Sequence, residues 1–300
     1  MKSYIKFAFI FTLVQGILSL IAFMGYIAYS IARVKREPLQ QTPMDVGLEY
    51  TDVVFPSRVD RLTLKGWWVP GGKGDRSIIM VHGGERHRAD PYIGLLSVAR
   101  DLVKEGYSVL LFDMRARGES EGKRSSVGYY ERRDLLGAID YVSGRGIAPD
   151  RIGILGFSLG GAIALLVAGN DGLGFPVISD SSFADLPKLI EREASKRIDL
   201  PSVFNIGWML MSKAMYGVNL GVLRPVEAIK KLSLGKVFLI HGAEDEIVPV
   251  ADARLLHAAT NNTENGLWIV PDAGHTRAYK SRPEEYIRRV VSFFDGTLGP

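Results

Sequence analysis

The sequence predicts an α/β fold built on a mostly parallel sheet and preceded by a helix long enough to cross a membrane. Two observations carry this. From about Ser77 to the C-terminus, short apolar runs of strand length alternate with stretches of helix length, and that alternation means βαβ units around a parallel sheet. From Phe7 to Ala32 there is no charged residue at all.

That first run, FAFIFTLVQGILSLIAFMGYIAYSIA, spans roughly 39 Å as a helix, more than a hydrocarbon core of about 30 Å. Lys2 and Lys6 flank it on one side, Arg33, Lys35 and Arg36 on the other, and Tyr26 and Tyr29 sit near its end, where aromatic rings favour the interface. A cleaved signal peptide is the competing reading, with Ser30 and Ala32 as small residues before a cut, but the apolar run exceeds the usual signal core. The expectation is a single-pass N-terminal anchor over residues 1–33, embedded through residues 7–32. The Lys and Arg flanks are too evenly balanced to orient it.

Residues 34–47, with Pro38, Pro43 and a Gln-rich patch, read as a linker. Leu48–Phe55 and Arg61–Val69 alternate in polarity and are rich in β-branched and aromatic residues, as expected of an antiparallel pair at a sheet edge. Further strands are expected at Ser77–His82, Tyr107–Asp113, Arg151–Phe157, Phe175–Asp180, Lys236–Gly242 and Leu267–Val270. Helices are expected from beyond His82 to about Glu105, at Tyr129–Ser143 and at Gly160–Gly169. The segment from about 185 to 231 holds no strand; insertions of this length in compact domains are usually functional, and it reads as a helical cap over the carboxyl edge of the sheet. The main domain is therefore placed at 48–300, cap included.

Composition narrows the function classes. Hydrophobic residues are 47% and charged residues 23%, which suits a globular core. Of the 37 Lys and Arg, two precede Arg33, leaving 35 against 33 acidic residues. With no basic stripe in such a balance, nucleic acid is not an expected partner. There are no cysteines, so disulfides, thiol nucleophiles and thiolate metal sites are excluded.

The strongest chemical signal is Gly156-Phe157-Ser158-Leu159-Gly160, followed by Gly161, between a strand and an Ala-rich helix. A strained strand–turn–helix corner of this kind presents a serine hydroxyl at the sheet edge; the bland alternative is a glycine-rich turn with a capping serine. A serine needs a base, and the base an orienting acid. Of five histidines, His82 and His241 end apolar strands, His87 lies in an exposed-looking loop and His257 on a helix. His275 follows the last strand on a loop that can return to Ser158. Asp245 lies on the loop after Lys236–Gly242, with Glu244 and Glu246 as lesser alternatives. Serine, acid and histidine in this chain order is the α/β-hydrolase arrangement, not that of chymotrypsin or subtilisin. Donors to an oxyanion are expected from the backbone N–H of Leu159 and of Gly84, with Glu85 as the near alternative.

Val81–Gly84 (VHGG), Phe112–Gly122 (FDMRARGESEG), Gly156–Gly161 (GFSLGG), His241–Pro249 (HGAEDEIVP) and Ala273–His275 (AGH) occur in this order. Together they resemble the α/β-hydrolase superfamily, most of all its prolyl-oligopeptidase-like and membrane-anchored α/β-hydrolase-domain branches, from about Leu48 onwards. The resemblance implies an eight-stranded, mostly parallel sheet flanked by helices, with no metal and no organic cofactor, and a structural role for Asp113–Gly122. Many relatives carry Asn where this chain has Gly84, and the loop Glu85–Asp90 is unusually charged, as if to meet a substrate or a headgroup. The expected activity is a serine hydrolase acting on carboxylic esters or thioesters, with a small molecule or a lipid acyl group as substrate. A prolyl-oligopeptidase-like peptidase and a non-enzymatic membrane-tethered binding module are the alternatives.

Overall fold

Strand burial follows position in the sheet. β1 (Thr51–Pro56) alternates buried and exposed residues, whereas β3 (Ser77–Val81), β4 (Ser108–Phe112), β5 (Ile152–Phe157) and β7 (Val237–Gly242) are buried throughout. One wet face suits an edge strand, and continuous apolar runs suit strands covered on both faces. With β2 (Thr63–Val69), β6 (Val177–Asp180) and β8 (Gly266–Val270) they form one eight-stranded sheet in the order β1-β2-β4-β3-β5-β6-β7-β8. β1 and β2 pair antiparallel, as does β2 with β4; every later pairing is parallel. The structure, a computed structural model, describes residues 2–72, 75–170, 174–197, 203–232, 236–260 and 266–299.

The helices are α1 (Lys2–Ala32), α2 (Leu95–Lys104), α3 (Glu131–Gly144), α4 (Leu159–Asn170), α5 (Leu186–Arg197), α6 (Val203–Tyr216), α7 (Pro225–Ile229), α8 (Val250–Ala258), α9 (Ala278–Ser281) and α10 (Pro283–Thr297). The period-two pleat sorts the strand side chains into two cores. Ile79, Val81, Leu110 and Ile154 pack with α3 and α4 on one face; Ile78, Met80, Val109 and Leu155 pack with α2 and α10 on the other.

Three expectations shift. The helix expected from beyond His82 starts only at Leu95, because Asp90 accepts the Tyr92 N–H at 2.8 Å and Pro91 offers no N–H, so this stretch turns. Of the segment expected as a cap, α5 and α6 are described, and residues 198–202 lie outside the described residues. Its last helix, α7, packs on α4, with Ala228 against Gly169. Residues 34–37, at the start of the expected linker, are tied to the body: Arg36 donates to the carbonyls of Gly118 and Gly122 at 2.9 and 2.8 Å, and just before them the Ser125 N–H donates to Ala32 O at the end of α1.

α1 has two parts. Tyr4–Phe23 is exposed throughout. Met24, Ala28 and Ala32, spaced by four along one face, are buried, and α1 packs on α6 there, with Gly25 facing Met211 and Met215. By length and composition Tyr4–Ala32 can cross a membrane.

Candidate active site

Ser158 sits at the corner where β5 ends and α4 begins, with φ at 51°. This left-handed conformation costs a non-glycine residue roughly 1–2 kcal/mol, and the surroundings hold it: the Ser158 N–H donates to Asp180 O at 2.7 Å and Ala162 N donates to Ser158 O at 3.0 Å. Gly160 is required by close approach, since a Cβ there would run into the carbonyl oxygens of Val81 and His82.

The structure brings Ser158, His275 and Asp245 together from loops far apart in sequence. His275 Nε2 lies 2.9 Å from Ser158 Oγ, and His275 Nδ1 lies 2.7 Å from Asp245 Oδ2. Asp245 Oδ1 accepts the N–H groups of Ile247 and Val248 at 2.9 and 2.8 Å. A second histidine, His241, reaches Asp245 Oδ2 at 3.2 Å and Val248 O at 2.7 Å through Nε2. Burial works to raise the Asp245 pKa, but the hydrogen bonds from His241 and His275 outweigh it and hold the carboxyl well below the usual range. A carboxylate in that state accepts hydrogen bonds only, which orients the His275 ring with Nδ1 protonated and Nε2 free to accept.

Gly83 and Gly84 lie against this corner, Gly83 beside the Ser158 side chain and Gly84 beside Leu159. The Gly84 and Leu159 N–H groups have no hydrogen-bond partner among the described residues. Two side chains pin the peptides around Gly84. The Met114 N–H donates to His82 Nε2 at 3.0 Å, so the proton of the neutral ring is on Nδ1, which donates to Gly83 O at 2.6 Å. Arg117 donates to Gly84 O through Nε at 2.7 Å and also through Nη2. In trans peptides N–H and C=O point oppositely, so fixing the Gly83 and Gly84 carbonyls also fixes the Gly84 and Glu85 N–H directions.

The Asp113–Gly122 loop supplies Arg117, and its base is an ion-pair cluster. Asp113, fully buried, accepts from the Arg88 N–H at 2.8 Å, the Glu119 N–H at 2.9 Å and the Arg88 guanidinium. Gly118, at φ 43°, is needed because a Cβ would strike that carboxylate. The charged loop Glu85–Asp90 thus spends Arg88 internally, and Arg86 pairs with Glu37 at 2.9 Å. His87, expected in an exposed loop, is 4% exposed: its Nδ1 accepts the Ala89 N–H at 3.2 Å, which turns the ring inward.

A cleft of about 820 Å³ opens over Ser158 and His275, within the range typical of small-molecule sites. Its apolar wall includes Val127, Phe183, Leu186 and Leu189, so α5 borders the site. Its other wall is Ile31, Arg33, Val34, Lys35 and Glu37. Sequence reasoning missed this wall, along with His241, His82 and Arg117. A strand-ending His-Gly at both 82–83 and 241–242 and an arginine in a glycine-rich loop were the available signals, and none specifies a partner. Among the described residues no cluster of three metal-ligating side chains occurs.

The strand order and the serine corner after β5 define a hydrolase of the α/β-hydrolase superfamily. Residues 100–300 match the prolyl oligopeptidase family, and the chain belongs to that family. It is 28% identical over 257 residues to the uncharacterised protein YqkD of Bacillus subtilis, covering 83% of this chain and 80% of the relative. It is 27% identical over 250 residues to the uncharacterised protein YfhR of Escherichia coli, covering 80% and 79%. Among solved structures, the esterase Pf2001 of Pyrococcus furiosus superposes with a TM-score of 0.72 at 29% identity, covering 89% of this chain and all of that one.

Proposed function

We propose that the protein is a serine hydrolase of carboxylic esters or thioesters, held at a membrane by the exposed part of α1. The observation that carries the reading is the Ser158–His275–Asp245 relay, at 2.9 and 2.7 Å, on a strained corner at a helix N-terminus. Ser158 Oγ attacks the carbonyl carbon while His275 Nε2 takes its proton. The negative charge that develops on the carbonyl oxygen is met by the N–H groups of Leu159 and Gly84. The leaving group departs with the proton from His275, giving an acyl-enzyme. Water, activated by the same nitrogen, releases the acid and restores the serine. The likeness to a named esterase supports esters, and the length of α1 supports the anchor.

A fluorophosphonate probe tests the reading. Wild type is expected to be labelled, Ser158→Ala not at all, and His275→Ala far more slowly. Kinetically, Ser158→Ala is expected to lower kcat by about 10⁴-fold or more. A folded wild type that takes no label sinks the proposal and leaves a binding module.

Family membership favours one second reading, a peptidase. The chemistry is identical, so the separating measurement is turnover of a short peptide amide against an ester with the same acyl group. Faster amide cleavage would select the peptidase.

A further inference from the structure

The end of α1 is part of the catalytic cleft. Seventeen exposed residues of the apolar run, Phe7–Phe23, span about 26 Å as a helix, within the length that crosses the roughly 30 Å hydrocarbon core of a bilayer. Met24 is the first residue buried against the body, so the bilayer boundary falls where α1 meets α6. Ile31, the first cleft residue, is seven positions further on, about 10 Å along the axis. A headgroup layer is about 5–8 Å deep, so the cleft begins at its outer edge.

α6 extends the same surface. It packs on α1 through Gly25, Met211 and Met215, yet Ile206 and Leu210, one turn apart on a single face, are 61% and 60% exposed. An exposed apolar face continuous with a helix of membrane-spanning length marks a surface that lies in the lipid interface. Arg33 and Lys35, both exposed and both on the cleft, stand just outside the headgroup layer, within the reach of its surface potential, where cations are attracted.

We infer that the catalytic cleft opens onto the bilayer surface, with α6 seated in the interface beside α1, and that the enzyme takes its substrate from the adjacent leaflet as a long-chain acyl ester of a lipid. This rests on the serine-hydrolase reading. The acyl chain enters between α5 and residues 31–35, along Ile31, Leu186 and Leu189, and its carbonyl reaches Ser158. Hydrolysis breaks the acyl C–O bond and consumes one water. It yields a fatty acid, which returns to the leaflet, and the alcohol.

The test uses full-length protein in phosphatidylcholine vesicles doped with 1-oleoylglycerol, with p-nitrophenyl butyrate as a soluble ester in the same preparation. Wild type is expected to release oleate and to hydrolyse butyrate. Ile206→Glu with Leu210→Glu is expected to keep butyrate turnover within about twofold and to lose oleate release roughly tenfold or more. A double variant that releases oleate at the wild-type rate overturns the inference. So does a wild type that turns over butyrate but leaves vesicle oleoylglycerol intact, while the hydrolase reading stands. Turnover of neither ester, with no fluorophosphonate labelling, overturns the hydrolase reading itself. Depth provides an independent check. Because the chain has no cysteine, a nitroxide on Leu210→Cys reports one position. Relaxation by lipid-dissolved oxygen rather than by an aqueous nickel chelate is expected, and the reverse pattern overturns the inference.

Discussion

His82 shows what burial does to a single group. Burial pushes its pKa down to about 4, aided by the Arg117 cation and opposed by the Asp113 carboxylate. The neutral ring is the form that accepts from Met114 and donates to Gly83. The unfolded chain titrates near 6.5, so between those values it binds a proton that the native state refuses. Stability from this group is therefore complete above the unfolded pKa and is lost as pH falls. From pH 7 to pH 5 the loss is about 2 kcal/mol. His82→Asn removes the titration. Urea midpoints at the two pH values are expected to show that the variant loses less stability than wild type by about that amount. Equal losses would mean that the native ring takes up its proton as readily as the unfolded chain does. Asp245 is the opposite case: its hydrogen bonds stabilise the charged form, and its contribution is present above the usual carboxylate pKa and fades in acid.

Among the elements, the loops after β3 and β4 and the strand β2 are held by one residue. The Arg88 guanidinium lies 4.1 Å from the Trp67 ring centroid, pairs with Asp113 and reaches Glu119 at 2.5 Å, while only 2% exposed. The Asp113 carboxylate is fully buried, so removing its partner strands a charge. Arg88→Met is expected to cost about 3–5 kcal/mol in urea denaturation. Adding Asp113→Asn should recover part of this, because the stranded charge is then gone. A single variant as stable as wild type would show that the cluster is solvated. The same loops carry Gly84 and Arg117, so this ion pair also sets how firmly the Gly84 and Glu85 peptides are held.

Across the whole molecule, the segment between α1 and the body forms a wall of the cleft. Arg36 ties that wall to the Asp113–Gly122 loop through two carbonyls. Its contacts are exposed, so Arg36→Ala is expected to change stability by less than about 1 kcal/mol. Freeing the wall should instead raise KM severalfold for a long-chain ester and leave kcat and the KM for a short ester nearly unchanged. Equal effects on both esters would mean that residues 31–37 do not touch the acyl chain.

The parallel sheet and the serine corner were legible because their signals are local. Strands buried on both faces must be continuous apolar runs, and a serine between a strand and an Ala-rich helix needs glycines where backbones cross. Asp245 and His275 were legible from their places just after β7 and β8, since the carboxyl ends of parallel strands converge on one edge. What the tertiary structure alone decided is which groups meet across long separations. His241 on Asp245, Arg117 on Gly84 and Arg88 on Asp113 are ordinary polar residues in the sequence, and His87 looks exposed until the fold encloses it. The division of α1 at Met24 is of the same kind. An apolar helix has one composition along its length, and only packing against α6 separates the part left bare from the part that builds the cleft.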